Sequence, residues 1–119
     1  MRVLVVDDDP DVLATIEALL SKNGFDVTGC ATADRANLRL AAKRFDILLI
    51  DESRLRTSDV ELALRVREDG TPVLILAAAK DVLPTLKKIG LPYILKPIRD
   101  DELLTAVRAL KRTEFPVAR

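Results

Sequence analysis

The chain has 119 residues, 49% of them hydrophobic, with 19 Lys+Arg against 19 Asp+Glu and no histidine. That length and apolar content build one domain with its own core, which excludes wholesale disorder and any need for a disulfide or structural zinc. The missing imidazole excludes a Ser-His-Asp triad and histidine metal ligation, and the balanced charge gives no reason to expect nucleic-acid binding or adsorption to an anionic membrane.

Along the chain, short apolar runs alternate with helical stripes. Val3 to Val6 is apolar on both faces, reads as a first strand, and is too short and too soon met by aspartates to be a signal peptide. Asp9 can cap the helix that follows, with Pro10 at its first position and a core stripe of Val12, Ile16, Leu19 and Leu20. Asn23-Gly24 ends that helix, and Asp26 to Cys30 forms a weaker second strand. Cys30 is the only cysteine and reads as a small buried hydrophobe. Leu38, Ala41 and Ala42 give a weak second stripe, before a strong third strand at Ile47 to Ile50. Leu62, Ala63 and Val66 form the third stripe, and Gly70-Thr71-Pro72 separates it from the strand at Val73 to Ala77. Val82, Leu86 and Ile89 form the fourth stripe, with Pro84 implying either a short helix that starts near Leu83 or a loose turn in its place. Gly90-Leu91-Pro92 leads to a last short strand, Tyr93 to Leu95, and Asp100 or Asp101 opens a helix with Leu103, Leu104, Val107 and Leu110 inward.

Strand–helix alternation of this kind needs right-handed crossovers, which place helices on both faces of a parallel sheet. The expectation is a three-layer α/β/α sandwich, doubly wound, in one domain over residues 1–112, with residues 113–119 a tail or the start of a linker. No stretch approaches the roughly 20 apolar residues of a membrane-spanning helix.

In open α/β sheets the usable crevice lies at the carboxyl ends of the strands. Asp7, Asp8 and Asp9 follow the first strand, Asp51 and Glu52 the third, and Lys96-Pro97 the fifth. Acidic residues after a strand also serve as plain loop solubilisers, but three strand ends carrying this combination point to a site. Clustered carboxylates repel one another, and a hard divalent cation such as Mg²⁺, which needs only one or two of them, relieves that. Lys96 suits an anionic ligand such as a phosphoryl group, for which Asp51 would be the oxygen nucleophile. The Lys96-Pro97 bond is a candidate cis peptide.

Four segments carry a family resemblance: Val3-Leu4-Val5-Val6-Asp7-Asp8-Asp9-Pro10, Phe45-Asp46-Ile47-Leu48-Leu49-Ile50-Asp51, Pro72-Val73-Leu74-Ile75-Leu76 and Tyr93-Ile94-Leu95-Lys96-Pro97. In order and spacing the chain resembles the response-regulator receiver domains of two-component signalling, from Val3 to about Leu110. The resemblance implies a flavodoxin-like, five-stranded parallel sheet in the order 2-1-3-4-5. It implies that Asp51 accepts a phosphoryl group from a histidine kinase or a histidine phosphotransfer protein. Asp8, Asp51 and the backbone carbonyl of Ser53 would ligate Mg²⁺, Asp7 would act through metal-bound water, and Lys96 would pair with the phosphoryl oxygens or with Asp51. A cytoplasmic location and pairing of two copies through the face of helix four, strand five and helix five are further implications. Any enzyme-like activity would be limited to self-phosphorylation and autodephosphorylation at the aspartate.

The departures from the family pattern concern the readout. The switch Thr/Ser position falls on Ala77, whose methyl cannot donate a hydrogen bond. Tyr93 falls on the aromatic position that changes rotamer in relatives. After the acceptor, Arg54-Leu55 replace the common Met-Pro, and Asp59 stands where a glycine would give easy access to positive φ. Arg54 and Arg56 add rim charge, either solvated or available to a partner. Two functions stay open: a phosphoacceptor with atypical coupling, and a receiver-like binding or dimerisation module that works without phosphorylation. A small metal-dependent phosphatase is a weaker third, because little chain is left to build a substrate cavity.

Overall fold

A computed structural model of the protein describes residues 1–52, 56–78 and 82–111. Among them five strands and five helices alternate: β1 (Arg2–Val6), α1 (Pro10–Lys22), β2 (Asp26–Cys30), α2 (Ala33–Ala42), β3 (Ile47–Glu52), α3 (Thr57–Glu68), β4 (Val73–Ala77), α4 (Leu83–Ile89), β5 (Tyr93–Leu95) and α5 (Asp100–Lys111). The sheet order is β2-β1-β3-β4-β5 and every pairing is parallel. This is the doubly wound three-layer arrangement expected from the alternation, with the flavodoxin-like strand order that the family resemblance implied. The tail at residues 113–119 lies outside the described residues.

Residues two apart in a strand share a face, so each central strand feeds two cores. Leu4, Val6, Leu48, Ile50, Val73 and Ile75 pack with Ala33, Ala36, Leu62, Ala63, Val66 and Leu86 from α2, α3 and α4. Val3, Val5, Ile47, Leu49, Leu74 and Leu76 pack with Ile16, Leu20, Leu103 and Val107 from α1 and α5. This two-sided burial is why the strands read as unbroken apolar runs.

Local chemistry sets the helix ends. Asp9 caps α1 as expected: its carboxylate accepts from the amides of Asp11 and Val12, and Pro10 occupies the first turn, where no amide is needed. Thr32 caps α2 through the amide of Arg35. The short α4 begins at Leu83 with Pro84 in its first turn and ends at Gly90, whose φ of 72° is the left-handed geometry that favours glycine. At α5, Glu102 reaches back to accept from the amide of Arg99, and Asp100 and Asp101 place further negative charge in the first turn.

Two expectations need correction. The core face of α2 is not Leu38, Ala41 and Ala42: Ala33 and Ala36 are buried, Leu40 packs beside them, and Leu38 is 68% exposed. Small residues let α2 lie close to its neighbours, so the buried stripe is the less hydrophobic one. Strand β3 also runs further than its apolar run. Asp51 and Glu52 belong to the strand and pair with Leu76 and Ala77.

Cys30 is buried, and desolvation pushes its thiol pKa up, which keeps it protonated and unreactive.

Candidate functional site

Strand parity assembles the site. Asp7 continues the Val3–Val5 face of β1, Asp51 the Ile47–Leu49 face of β3, and Lys96 the Ile94 face of β5, so all three emerge on the α1/α5 side. The parallel register of β1 with β3 aligns Val6 with Ile50, and the amide of Lys96 is tied to the carbonyl of Ala77 at 2.9 Å.

Asp51 is 2% exposed, and its Oδ1 is met by the Lys96 ammonium in an ion pair. Burial raises the Asp51 pKa, the Lys96 charge opposes the rise, and the charges of Asp8 and Asp9 add to it. Asp7 is 3% exposed, and its Oδ1 accepts from the amide of Asp9 at 2.9 Å. Its pKa rises to about 6, chiefly through desolvation, with the charge of Asp51 contributing and the Asp9 amide opposing. Asp7 and Asp51 are therefore electrostatically coupled across the ends of β1 and β3.

Asp8 sits at the rim, partly exposed, and its Oδ2 receives the Arg56 guanidinium at 3.3 Å. This pairing was not foreseen, and no spacing in the sequence signals it. It depends on how α3 begins. Asp59, placed in the first turn of α3 and buried, accepts from the Arg56 amide at 2.9 Å, while the Arg56 carbonyl accepts from the Asp59 amide at 3.0 Å. An arginine side chain offers no acceptor, so the carboxylate of Asp59 supplies the side-chain half of this cap. The expected loss of a flexible glycine at position 59 is thus a gained helix start.

The remaining expected residues divide as follows. Lys96-Pro97 is cis. Ala77 is buried at the end of β4 and presents only a methyl group. Tyr93 is half-buried and packs against the α2–α4 core. Ser53 and Arg54 lie outside the described residues. Beside Asp51 and Lys96 a groove of about 390 Å³ runs between α1 and α5, lined by Val12, Ile16, Leu76, Ile98 and Leu103.

The donor set suits a hard cation. The second oxygen of Asp7, Oδ2, is buried without a hydrogen-bond partner, which a cation or its water shell would satisfy. Among the described residues no three acidic or cysteine side chains close into a cage. Mg²⁺ does not need one, because it keeps several waters and takes one or two carboxylates.

Comparisons with known proteins agree with this geometry. Residues 3–108 match the family described as "Response regulator receiver domain". The transcriptional regulatory protein DltR of Streptococcus agalactiae is 32% identical over 117 residues, covering 94% of this chain and 52% of DltR. The transcriptional regulatory protein PrrA of Mycobacterium tuberculosis is 35% identical over 116 residues, covering 93% of this chain and 50% of PrrA. The chain thus spans about half the length of these curated relatives. Among solved structures, the BeF3-activated N-terminal receiver domain of RstA from Klebsiella pneumoniae superposes with a TM-score of 0.82 at 26% identity, covering 95% of this chain and all of that one (100%). The response regulator TrrA of Thermotoga maritima, solved in complex with Mg(2+)-BeF, superposes at 0.80 with 23% identity, covering 92% of this chain and 97% of that one, a likeness of fold. A family match over residues 3–108, nearly the whole chain, together with relatives above 30% identity that cover it almost end to end, makes this protein a member of the response regulator receiver domain family.

Proposed function

We propose that the domain, over residues 1–112, accepts a phosphoryl group on Asp51 from a phosphohistidine of a kinase or phosphotransfer protein. The observation that carries this reading is a buried carboxylate, Asp51, held against Lys96 with Asp7 and Asp8 close enough to repel it. An Asp51 oxygen attacks phosphorus, the P–N bond to the donor imidazole breaks, and an acyl phosphate forms. Asp8 and Asp51, with the Ser53 carbonyl, would hold Mg²⁺, and Asp7 would act through water. Bound there, Mg²⁺ supplies positive charge to the transferring phosphoryl oxygens. Lys96 stays beside the same oxygens as a compact ammonium with three donors. Burial keeps Asp51 poorly solvated and so more reactive once ionised, and the lysine charge favours the ionised form. The apolar groove between α1 and α5, open beside Asp51, is a fitting surface for the donor protein. A cytoplasmic location goes with this reading. No helix among the described residues is long and apolar enough to cross a membrane.

The readout is the atypical part. Ala77 cannot follow the phosphoryl group with a hydroxyl, so coupling must use a backbone donor or another surface. That same methyl group favours, as a second reading, a binding module that works without phosphorylation.

A small-molecule phosphodonor with Mg²⁺, followed by intact mass, separates the two. One added phosphoryl group in the wild type and none in Asp51→Asn is the expected result. An unchanged wild-type mass at every Mg²⁺ concentration would leave the binding module standing.

A further inference from the structure

We propose that the open edge of the sheet, strand β2 with helix α2 beside it, is a self-complementary surface on which a second copy of this chain docks strand to strand. This surface is separated from β3 and its Asp51 by β1, and it is not the face of α4, β5 and α5.

Strand β2 pairs on one side only, with β1. The Asp26 amide donates to the Met1 carbonyl and the Cys30 carbonyl accepts from the Asp7 amide, so residues 26, 28 and 30 turn their backbone groups toward β1. Val27 and Gly29 turn theirs outward, and Asp26 to Gly29 are exposed or half-buried. An edge left open in this way is a template for another strand, and β2 carries neither lysine nor proline to block one.

The two ends of this edge differ in charge. At its start Asp26 has a side chain 64% exposed, with Arg2 as a loose surface partner at 3.8 Å. At its end Arg35 and Arg39 of α2 line a groove of about 520 Å³ whose floor is Gly29, Cys30 and Ala31. The charges of both arginines bear on the Cys30 thiol, and no acidic residue lines the groove. Leu38 stands over the same groove, the exposed large hydrophobic side chain among the described residues.

An antiparallel pairing about a two-fold axis at Thr28 matches these features. It sets Val27 opposite the partner's Gly29, outward backbone groups against outward backbone groups. It brings Asp26 beside the partner's Cys30, into the arginine-lined groove, and lays a strand against Leu38. Strand parity keeps Asp26 and Cys30 on the α2 side, away from Glu17, whose carboxylate lies against Gly29 on the α1 side. Such a contact closes at two copies, and a formal net charge of zero leaves no long-range repulsion between them.

Sedimentation velocity on the full chain over a range of concentrations tests this, in buffer without Mg²⁺ or phosphodonor so that the outcome is independent of chemistry at Asp51. Circular dichroism melts check that each variant folds. Wild type should show a reversible monomer–dimer equilibrium, with the Val27 and Gly29 amides exchanging more slowly as the dimer forms. Asp26→Arg and Arg39→Asp should each weaken the dimer at least about tenfold, because each places like charges together twice. The two combined restore opposite charges and should return to within about threefold of wild type. Leu38→Ser should weaken it about tenfold, and Lys87→Glu on α4 should leave it unchanged. A wild type that stays monomeric up to about 1 mM overturns the proposal. So does a dimer that Lys87→Glu breaks and Leu38→Ser spares, which would move the pairing to the α4 side. Failure of the combined charge exchange to rescue either single change overturns the strand-to-strand geometry.

Discussion

Asp7 shows how one buried side chain links function to stability. Burial lifts its pKa to about 6 in the folded chain, from 3.8 for the free side chain. Between those values the folded state binds more protons than the unfolded state, so this residue's contribution to stability is greatest below pH 4 and is lost as the pH rises through 6. Asp51, also raised, acts in the same direction. In metal-free buffer Asp7→Asn should therefore gain on wild type as the pH goes from 4 to 7, by up to about 3 kcal/mol. Denaturant midpoints of the two proteins at several pH values measure it, and a constant difference across the range would show that Asp7 titrates normally. A metal at the site favours the ionised carboxylates, so Mg²⁺ should shrink the gap at neutral pH.

Among the elements, α3 and α2 show where local reading succeeds and where it stops. Asp59 is legible as a residue that lacks the freedom of glycine. Its actual work appears only when the helix is seen to begin at Thr57, which puts the carboxylate in the first turn and over the Arg56 amide. Asp59→Ala removes that bond from a buried position and should lower stability by about 1–2 kcal/mol, read from the urea midpoint. A change below a few tenths would mean that the carboxylate contributes nothing to the start of α3. Helix α2 misleads for another reason. Hydrophobicity singles out Leu38, but close packing against the sheet selects Ala33 and Ala36, because small side chains let a helix approach. By contrast Pro84 narrowed the α4 region to a short helix starting near Leu83 or a loose turn, and the structure has the helix, with the proline in its first turn where no amide is needed.

For the molecule as a whole, one sheet does two jobs. Its central strands seal two cores, and the period-two alternation that sends Val5 and Leu49 toward α1 and α5 also sends Asp7 and Asp51 to that side. A slip of one residue would turn the carboxylates, and the site with them, to the other face. Leu49 lies fully buried two residues before Asp51, so Leu49→Ala should cost about 2–5 kcal/mol, seen as an early denaturant midpoint. A loss below about 1 kcal/mol would show that the α1/α5 core closes over the gap. The strand–helix alternation, the layered parallel sheet and the meeting of the strand-end residues Asp7, Asp51 and Lys96 could be read in advance, because apolar runs, turn residues and crossover handedness are local or topological rules that one chain displays; the strand order came only with the family resemblance. The pairing of Arg56 with Asp8, the proton held on Asp7 and the true face of α2 could not. Each depends on distances between segments far apart along the chain and on how deeply water is excluded, quantities that exist only once the sheet and its helices have packed.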